Sequence, residues 1–162
     1  PGGIVSPRAE AMLYAADRAQ HVETVVRPAL ERGAVVVTDR YVDSSLAYQG
    51  AGRELDVDDV KRISAWATAG LRPDLVVLLD VDPVVGLARI AVRDRTEAGP
   101  DRIEAESLAF HARVRQGFLD LAGSDHERYL VLPADQPAAV VHELVSRRLA
   151  TVLDESALAP AP

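Results

Sequence analysis

Three short runs constrain this chain most: residues 34–38 (AVVVT), 75–79 (LVVLL) and 129–132 (YLVL) are apolar with almost no polar alternation. Successive side chains of a strand point to opposite faces, so a strand with one wet face alternates apolar and polar residues. A run without alternation reads as a strand covered on both faces, as in a parallel sheet packed between helices. The segments between the runs read as helices. Ser6-Pro7 supplies an N-cap and a first-turn proline, residues 8–26 have helix-forming composition, and Pro28 is expected to kink or restart that helix before Gly33 ends it. Residues 56–69 form a helix stopped by Gly70, and residues 82–93 one that starts on Asp82 followed by Pro83. Residues 104–122 carry Phe110, Val114 and Leu121 on one stripe, and residues 137–153 form the last helix. Helices alternating with buried strands imply an α/β fold with right-handed crossovers. The expected organisation is one domain over residues 1–153 and a disordered tail over 154–162. Three strands are few for a doubly wound sheet, which usually has about five or six.

Composition closes off several function classes. The 162 residues are 48% hydrophobic and 27% charged, an ordinary globular balance. With a net charge of −7, a broad electrostatic grip on nucleic acid is not expected. No apolar run approaches the roughly 20 residues of a membrane span, and no stretch reads as a signal peptide. Cysteine is absent, which excludes disulfides and thiolate metal sites and is compatible with a cytoplasmic setting. The four histidines (His21, His111, His126 and His142) have no metal-ligand spacing, so no protein-held metal is expected. Lys61 is the only lysine and the other basic residues are arginine, the side chain that grips phosphate bidentately.

The stretch richest in chemistry is residues 37–49, Val-Thr-Asp-Arg-Tyr-Val-Asp-Ser-Ser-Leu-Ala-Tyr-Gln. In open α/β sheets ligands bind at the carboxyl ends of the strands, where Asp39 and Arg40 are expected. A lone Asp-Arg pair would read as a strand-end salt bridge. The whole string resembles the signature of the thymidylate kinase family: an acidic-Arg-aromatic triplet, two spaced residues, Ser, a small polar residue, then Ala-Tyr-Gln. The resemblance extends along nearly the whole chain. Residues 6–11 (SPRAEA) through 14–21 (YAADRAQH) look like that family's substrate helix, and residues 49–53 (QGAGR), 73–74 (PD) and 101–104 (DRIE) follow in its order.

The resemblance implies a P-loop kinase-like, doubly wound parallel sheet with helices on both faces. It also implies transfer of the γ-phosphoryl group of ATP, with Mg²⁺, to dTMP by a cytoplasmic homodimer. Arg40 would hold the dTMP phosphate, and Asp39 would orient that arginine and help organise the magnesium-bound phosphates. Arg18 would bond the thymine carbonyl edge while Tyr14, one turn earlier, stacks on the ring. Ser45 would lie against the pyrimidine, Tyr48 beside the sugar 2′ position, and Gln49 closes the set of substrate-binding residues. From the residues alone, Tyr14 and Arg18 read first as an amphipathic helix with a core tyrosine and a surface arginine, and only the family register overturns that. Ser44 reads as a structural residue that holds the segment after Arg40.

A second basic group, Arg89, Arg93, Arg95 and Arg102, surrounds the break Thr96-Glu97-Ala98-Gly99-Pro100. A flexible break between helices suits a closing lid, and lid arginines stabilise charge in phosphoryl transfer. Arg93 and Arg95 are the expected catalytic, ATP-phosphate-binding pair, and residues 94–101 the mobile segment. Arg89 fits the lid or a surface helix equally. Asp80 either touches magnesium through water or caps the next turn, and Trp66 reads as core or interface.

The sequence departs from the family pattern in one respect. No Gly-rich turn ending in Gly-Lys-Ser/Thr occurs in these 162 residues, so the central P-loop strand is absent from them. Pro1-Gly2-Gly3 resembles the end of the family's Arg-Glu-Pro-Gly-Gly segment, so omissions are expected before Pro1 and between Gly3 and Ile4. A chain without that strand is expected not to reach the family structure or to phosphorylate anything alone. Two other readings stay open: a different nucleoside monophosphate or deoxynucleoside kinase, and a non-catalytic nucleotide-binding remnant.

Overall fold

Helix α1 (Pro7–His21) begins as its sequence dictates: Ser6 is the N-cap, its hydroxyl accepting from the Ala9 N–H, and Pro7 occupies the first turn. The structure, a computed structural model, describes residues 5–93 and 103–158. These divide into two compact units, Pro1–Arg72 with Ala109–Phe118, and Pro73–Leu108 with Leu119–Pro162.

In the first unit α1 runs without a break into a π-helical stretch (Val22–Val26) and then α2 (Arg27–Glu31). Pro28 has no N–H, and its ring collides with the carbonyl four residues back. A wider turn accommodates it, with the Arg27 N–H reaching the Val22 carbonyl five residues back. The expected break at Pro28 is thus a π-bulge placed one turn before the proline. Gly33, at φ 74°, ends the helix in the left-handed conformation that favours glycine. Ala11, Ala15, Val22 and Val26 line the buried stripe. Helix α4 (Val57–Ala67) starts on Asp56, whose carboxylate accepts from the Asp58 and Asp59 N–H groups, and buries Val60 and Ser64. Just past its end, the Arg27 guanidinium donates to the carbonyls of Thr68 and Ala69 at 3.2 and 3.1 Å. Trp66 is 85% exposed, which removes the core alternative for it.

Residues 34–38, expected as a strand, form none. A parallel strand exists through ladder bonds to a neighbour, and no described residue pairs with this stretch. Val35 and Val37 are accordingly exposed. The segment that follows is helical: α3 (Val42–Ser45) continues into a second π-helical stretch (Leu46–Gly52). Gly52 permits the close approach that seats this stretch against the Ala109–Phe118 part of α6 (Leu108–Ser124). A Cβ at Gly52 would stand 2.8 Å from both Phe110 Cε2 and Val114 Cγ2.

The second unit holds a parallel pair, β1 (Val76–Asp80) and β2 (Tyr129–Pro133), in register from Val76 opposite Tyr129 to Asp80 opposite Pro133. Both lie within one residue of the expected runs. After β1 comes α5 (Pro83–Arg93), where the Asp82 carboxylate accepts from the Val84 N–H at 2.9 Å, as an N-cap before proline should. After β2 comes α7 (Ala138–Leu158), longer than the expected 137–153. Among the described residues the sheet has these two strands.

Candidate active site

Tyr14 and Arg18 stand one turn apart on α1 and share a face. Tyr14 is 41% exposed, so an aromatic ring is open to a ligand rather than spent in the core. The Arg18 guanidinium is half-buried. Its Nη2 donates to the Tyr41 carbonyl at 3.2 Å and to Ser45 Oγ at 3.1 Å, and its Cζ lies 5.6 Å from the centre of the Tyr41 ring. Its Nη1 is buried and has no partner among the described residues. Burial pushes Arg18 below its ordinary pKa, opposed by Tyr41, Asp17 and Asp43. A buried donor left unpaired costs on the order of 1–3 kcal/mol, so this N–H favours a ligand acceptor.

Arg40 follows the unpaired stretch at φ 69°, a left-handed conformation that costs a non-glycine residue roughly 1–2 kcal/mol. The strained turn sends the Arg40 guanidinium over the Tyr48 ring, 5.0 Å from its centre, while the next residue, Tyr41, goes to Arg18. Burial works to lower the Arg40 pKa, but a hydrogen bond with Tyr48 and the charges of Tyr48, Asp39 and Tyr14 outweigh it, and the net shift is upward. The arginine is thus a fixed cation beside an aromatic face, with the exposed Asp39 next to it in the chain. Tyr48 is itself held by Phe110 and Phe118, at 6.3 and 6.0 Å between ring centres. The Tyr41 hydroxyl donates to the Leu71 carbonyl at 3.3 Å. Burial raises the Tyr41 pKa, against its bond with Thr68 and the charges of Arg18 and Arg27.

The structure therefore gathers Tyr14, Arg18, Asp39, Arg40, Ser45 and Tyr48 from α1 and residues 39–48 of one unit. Ser45 is buried and acts at least in part through Arg18. Ser44 makes the first turn of α3, its N–H donating to the Tyr41 carbonyl. Gln49 is 2% exposed, and one N–H of its amide donates to Glu10 Oε1 at 2.9 Å, which ties the side chain to a buried carboxylate. Arg93 is the last residue of α5. Arg95, with residues 94–101, and the junction of Gly3 and Ile4 lie outside the described residues. Arg89 donates to the Ala134 carbonyl at 3.2 Å from an exposed position. Asp80 ends β1, and its carbonyl accepts from the Ala134 N–H at 2.7 Å.

The family model described as Thymidylate kinase matches residues 2–145, which include every one of these site residues. The chain belongs to the thymidylate kinase family. It is 52% identical over 157 residues to a thymidylate kinase of Clavibacter michiganensis, covering 97% of this chain and 73% of the relative. It is 54% identical over 155 residues to one from Cutibacterium acnes, with 95% and 72% covered. Against one from Deinococcus radiodurans it is 55% identical over 137 residues, covering 85% of this chain and 65% of the relative. The fold is the α/β P-loop kinase fold of that family, to which the described residues contribute a parallel strand pair and its helices. Among the described residues no three or more His, Cys, Asp or Glu side chains gather to hold a metal ion, and no helix is long and apolar enough to cross a membrane.

Sequence reasoning missed Glu10 and Tyr41 as partners of the site. Glu10 carried a signal, since it stands four residues before Tyr14 and eight before Arg18 on the same helix face.

Proposed function

We propose that this chain carries the acceptor site of a kinase that transfers the γ-phosphoryl group of ATP to dTMP, giving dTDP. The observation that carries the reading is the unspent buried N–H of Arg18, one turn from the open ring of Tyr14. A pyrimidine stacked on Tyr14 presents a carbonyl to that donor, and Tyr48 lies along the sugar. The phosphate then falls to Arg40, whose planar fork suits a phosphate monoester.

Phosphoryl transfer depends mainly on positioning and charge stabilisation, and these residues supply both for the acceptor. Arg40 holds the attacking phosphate in place and Asp39 orients Arg40. Magnesium enters with ATP as part of that substrate. Mg²⁺ keeps most of its ligands as water and phosphate and needs only one or two carboxylates, a demand that the exposed Asp39 fits. Arg93 and Arg95 complete the proposal on the donor side as lid residues. Assembly as a cytoplasmic homodimer belongs to the same reading. The exposed Trp66, Met12 and Leu13 supply apolar surface for such a contact.

Phosphorylation of dTMP, dUMP, dCMP, CMP and UMP by ATP, with magnesium present, tests the reading. The expected order places dTMP first and UMP and CMP far behind. Equal rates on dTMP and UMP would contradict the role assigned to Tyr48, and equal rates on dTMP and dCMP the role assigned to Arg18.

A further inference from the structure

The turn that ends α4 is more elaborate than stopping a helix requires. The Gly70 N–H closes the helix on the Ala65 carbonyl at 2.9 Å, and Gly70 takes the left-handed conformation at φ 74°, as a helix-ending glycine does. Ala69 before it is also left-handed, at φ 46°, where its Cβ makes the backbone strained. Strained backbone persists when its surroundings hold it, and here two side chains distant in sequence do so. Arg27 donates to the carbonyls of Thr68 and Ala69 at 3.2 and 3.1 Å. The Tyr41 hydroxyl donates to the Leu71 carbonyl at 3.3 Å and bonds Thr68, which is 1% exposed.

The rest of Tyr41 meets Arg18. The Tyr41 carbonyl accepts from Arg18 Nη2 at 3.2 Å, Ser45 Oγ accepts from the same nitrogen at 3.1 Å, and the Tyr41 ring centre lies 5.6 Å from Arg18 Cζ. A guanidinium is a rigid planar fork, so fixing one nitrogen with two acceptors and packing a ring on the group sets the direction of its other N–H groups. Nη1, buried and without a partner among the described residues, takes its direction from those contacts. A chain of contacts thus runs from Arg27 through the α4 turn and Tyr41 to Arg18, all within the first unit. Arg40 stands outside it. Although next to Tyr41 in the chain, Arg40 is turned onto the Tyr48 ring, 5.0 Å from its centre.

We infer that Tyr41 is a positioning residue for base recognition: braced on the end of α4, it holds the Arg18 guanidinium so that Nη1 meets a pyrimidine carbonyl. The inference deepens the acceptor-site reading above and rests on it. Thymine carries a carbonyl where cytosine carries an amino group that only donates. Discrimination between dTMP and dCMP therefore reports the placement of Arg18, while preference for dTMP over thymidine reports Arg40.

The test is equilibrium binding of dTMP, dCMP and thymidine by titration calorimetry, with thermal melts of every protein. The parent is compared with Arg18→Ala, Tyr41→Leu, Tyr41→Phe and the double variant Arg18→Ala with Tyr41→Leu. Tyr41→Leu removes ring and brace, and should lower the preference for dTMP over dCMP by roughly tenfold, towards that of Arg18→Ala. Its preference for dTMP over thymidine should stay within about twofold of the parent's, because Arg40 keeps its own support on Tyr48. The double variant should discriminate no worse than Arg18→Ala, since Tyr41 acts through Arg18. Tyr41→Phe keeps the ring and loses the brace, and should lower base discrimination by roughly two- to fivefold. Should Tyr41→Leu fail to fold, Tyr41→Phe decides alone, and parental discrimination in it would overturn the inference. Equal weakening of all three ligands, which a merely structural tyrosine would give, or a second full loss of discrimination in the double variant, would also overturn it. Failure of the parent protein to bind dTMP, or parental base discrimination in Arg18→Ala, would instead overturn the acceptor-site reading.

Discussion

The two units manage polar groups differently. Every buried polar or charged side chain among the described residues (Glu10, Asp43, Ser45, Gln49, Ser64 and Thr68) belongs to the unit of α1 to α4. So does every described non-glycine residue with positive φ: Arg40, Glu54 and Ala69. In the unit of the strand pair the buried side chains among the described residues are Ala122, Tyr129 and Leu132. Burying polar groups and straining backbone both oppose folding, so their concentration in one unit marks where the fold holds its groups for a task beyond stability. The strand pair follows ordinary pattern rules, while the helical unit breaks several of them around Tyr14, Arg18 and Arg40.

Core truncation should separate the units most. Phe110 is 3% exposed and packs on Tyr48, His111 and Arg53. Phe110→Ala should cost about 3–5 kcal/mol of unfolding free energy and weaken dTMP binding as well. Denaturant unfolding with parallel binding checks both, and lost stability with unchanged binding would detach the core from the site.

A glycine pair sharpens the contrast. Gly52→Ala puts a Cβ 2.8 Å from Phe110 and Val114 and should destabilise by about 1–3 kcal/mol. Gly86→Ala, inside α5, meets only Val81 Cγ1 at 3.5 Å. That change should stabilise by about 0.5–1 kcal/mol through helix propensity. Chemical melts of the two variants should move in opposite directions, and movement in the same direction would break the comparison.

How far the sequence alone carries differs between the units for the same reason. β1, β2, α4 and α5 were legible to within a few residues because caps and apolar runs are local. Asp56 and Asp82 each bond an N–H two residues on, and that needs no tertiary knowledge. Residues 34–38 misled because a strand is a relation between two segments, and composition describes only one of them. The π turns were hidden too. The extra residue per turn at Val22–Val26 answers Pro28, and that at Leu46–Gly52 accompanies contact between Gly52 and Phe110, far away in sequence. Tyr14, Arg18, Arg40, Tyr48 and Gln49 were singled out through family register, but the bond of Gln49 to Glu10 could be seen only once α1 and the segment after Arg40 met.

The smallest expected effect concerns pH. Tyr41 has a folded pKa above the ordinary phenol value of about 10. The folded state therefore holds the proton more tightly than the unfolded state. Its contribution to stability is full below about pH 10 and is lost as pH rises towards the folded value. Tyr41→Phe should flatten the alkaline limb of stability against pH while losing little below pH 9, where the hydroxyl's bonds to the Leu71 carbonyl and Thr68 are removed. An unchanged alkaline limb would show that Tyr41 titrates as an exposed phenol.

The central claim is that this strained, polar unit is a dTMP site in which Arg40 reads the phosphate. Equilibrium binding of dTMP and of thymidine, to the parent protein and to Arg40→Ala, tests it most directly. The parent protein should prefer dTMP by roughly tenfold to a hundredfold, the worth of a charge-assisted phosphate fork of about 1.5–3 kcal/mol. Arg40→Ala should bind the two ligands nearly equally, with thymidine binding little changed because Tyr14 and Arg18 remain. An Arg40→Ala variant that keeps the parent's preference for dTMP would contradict the account.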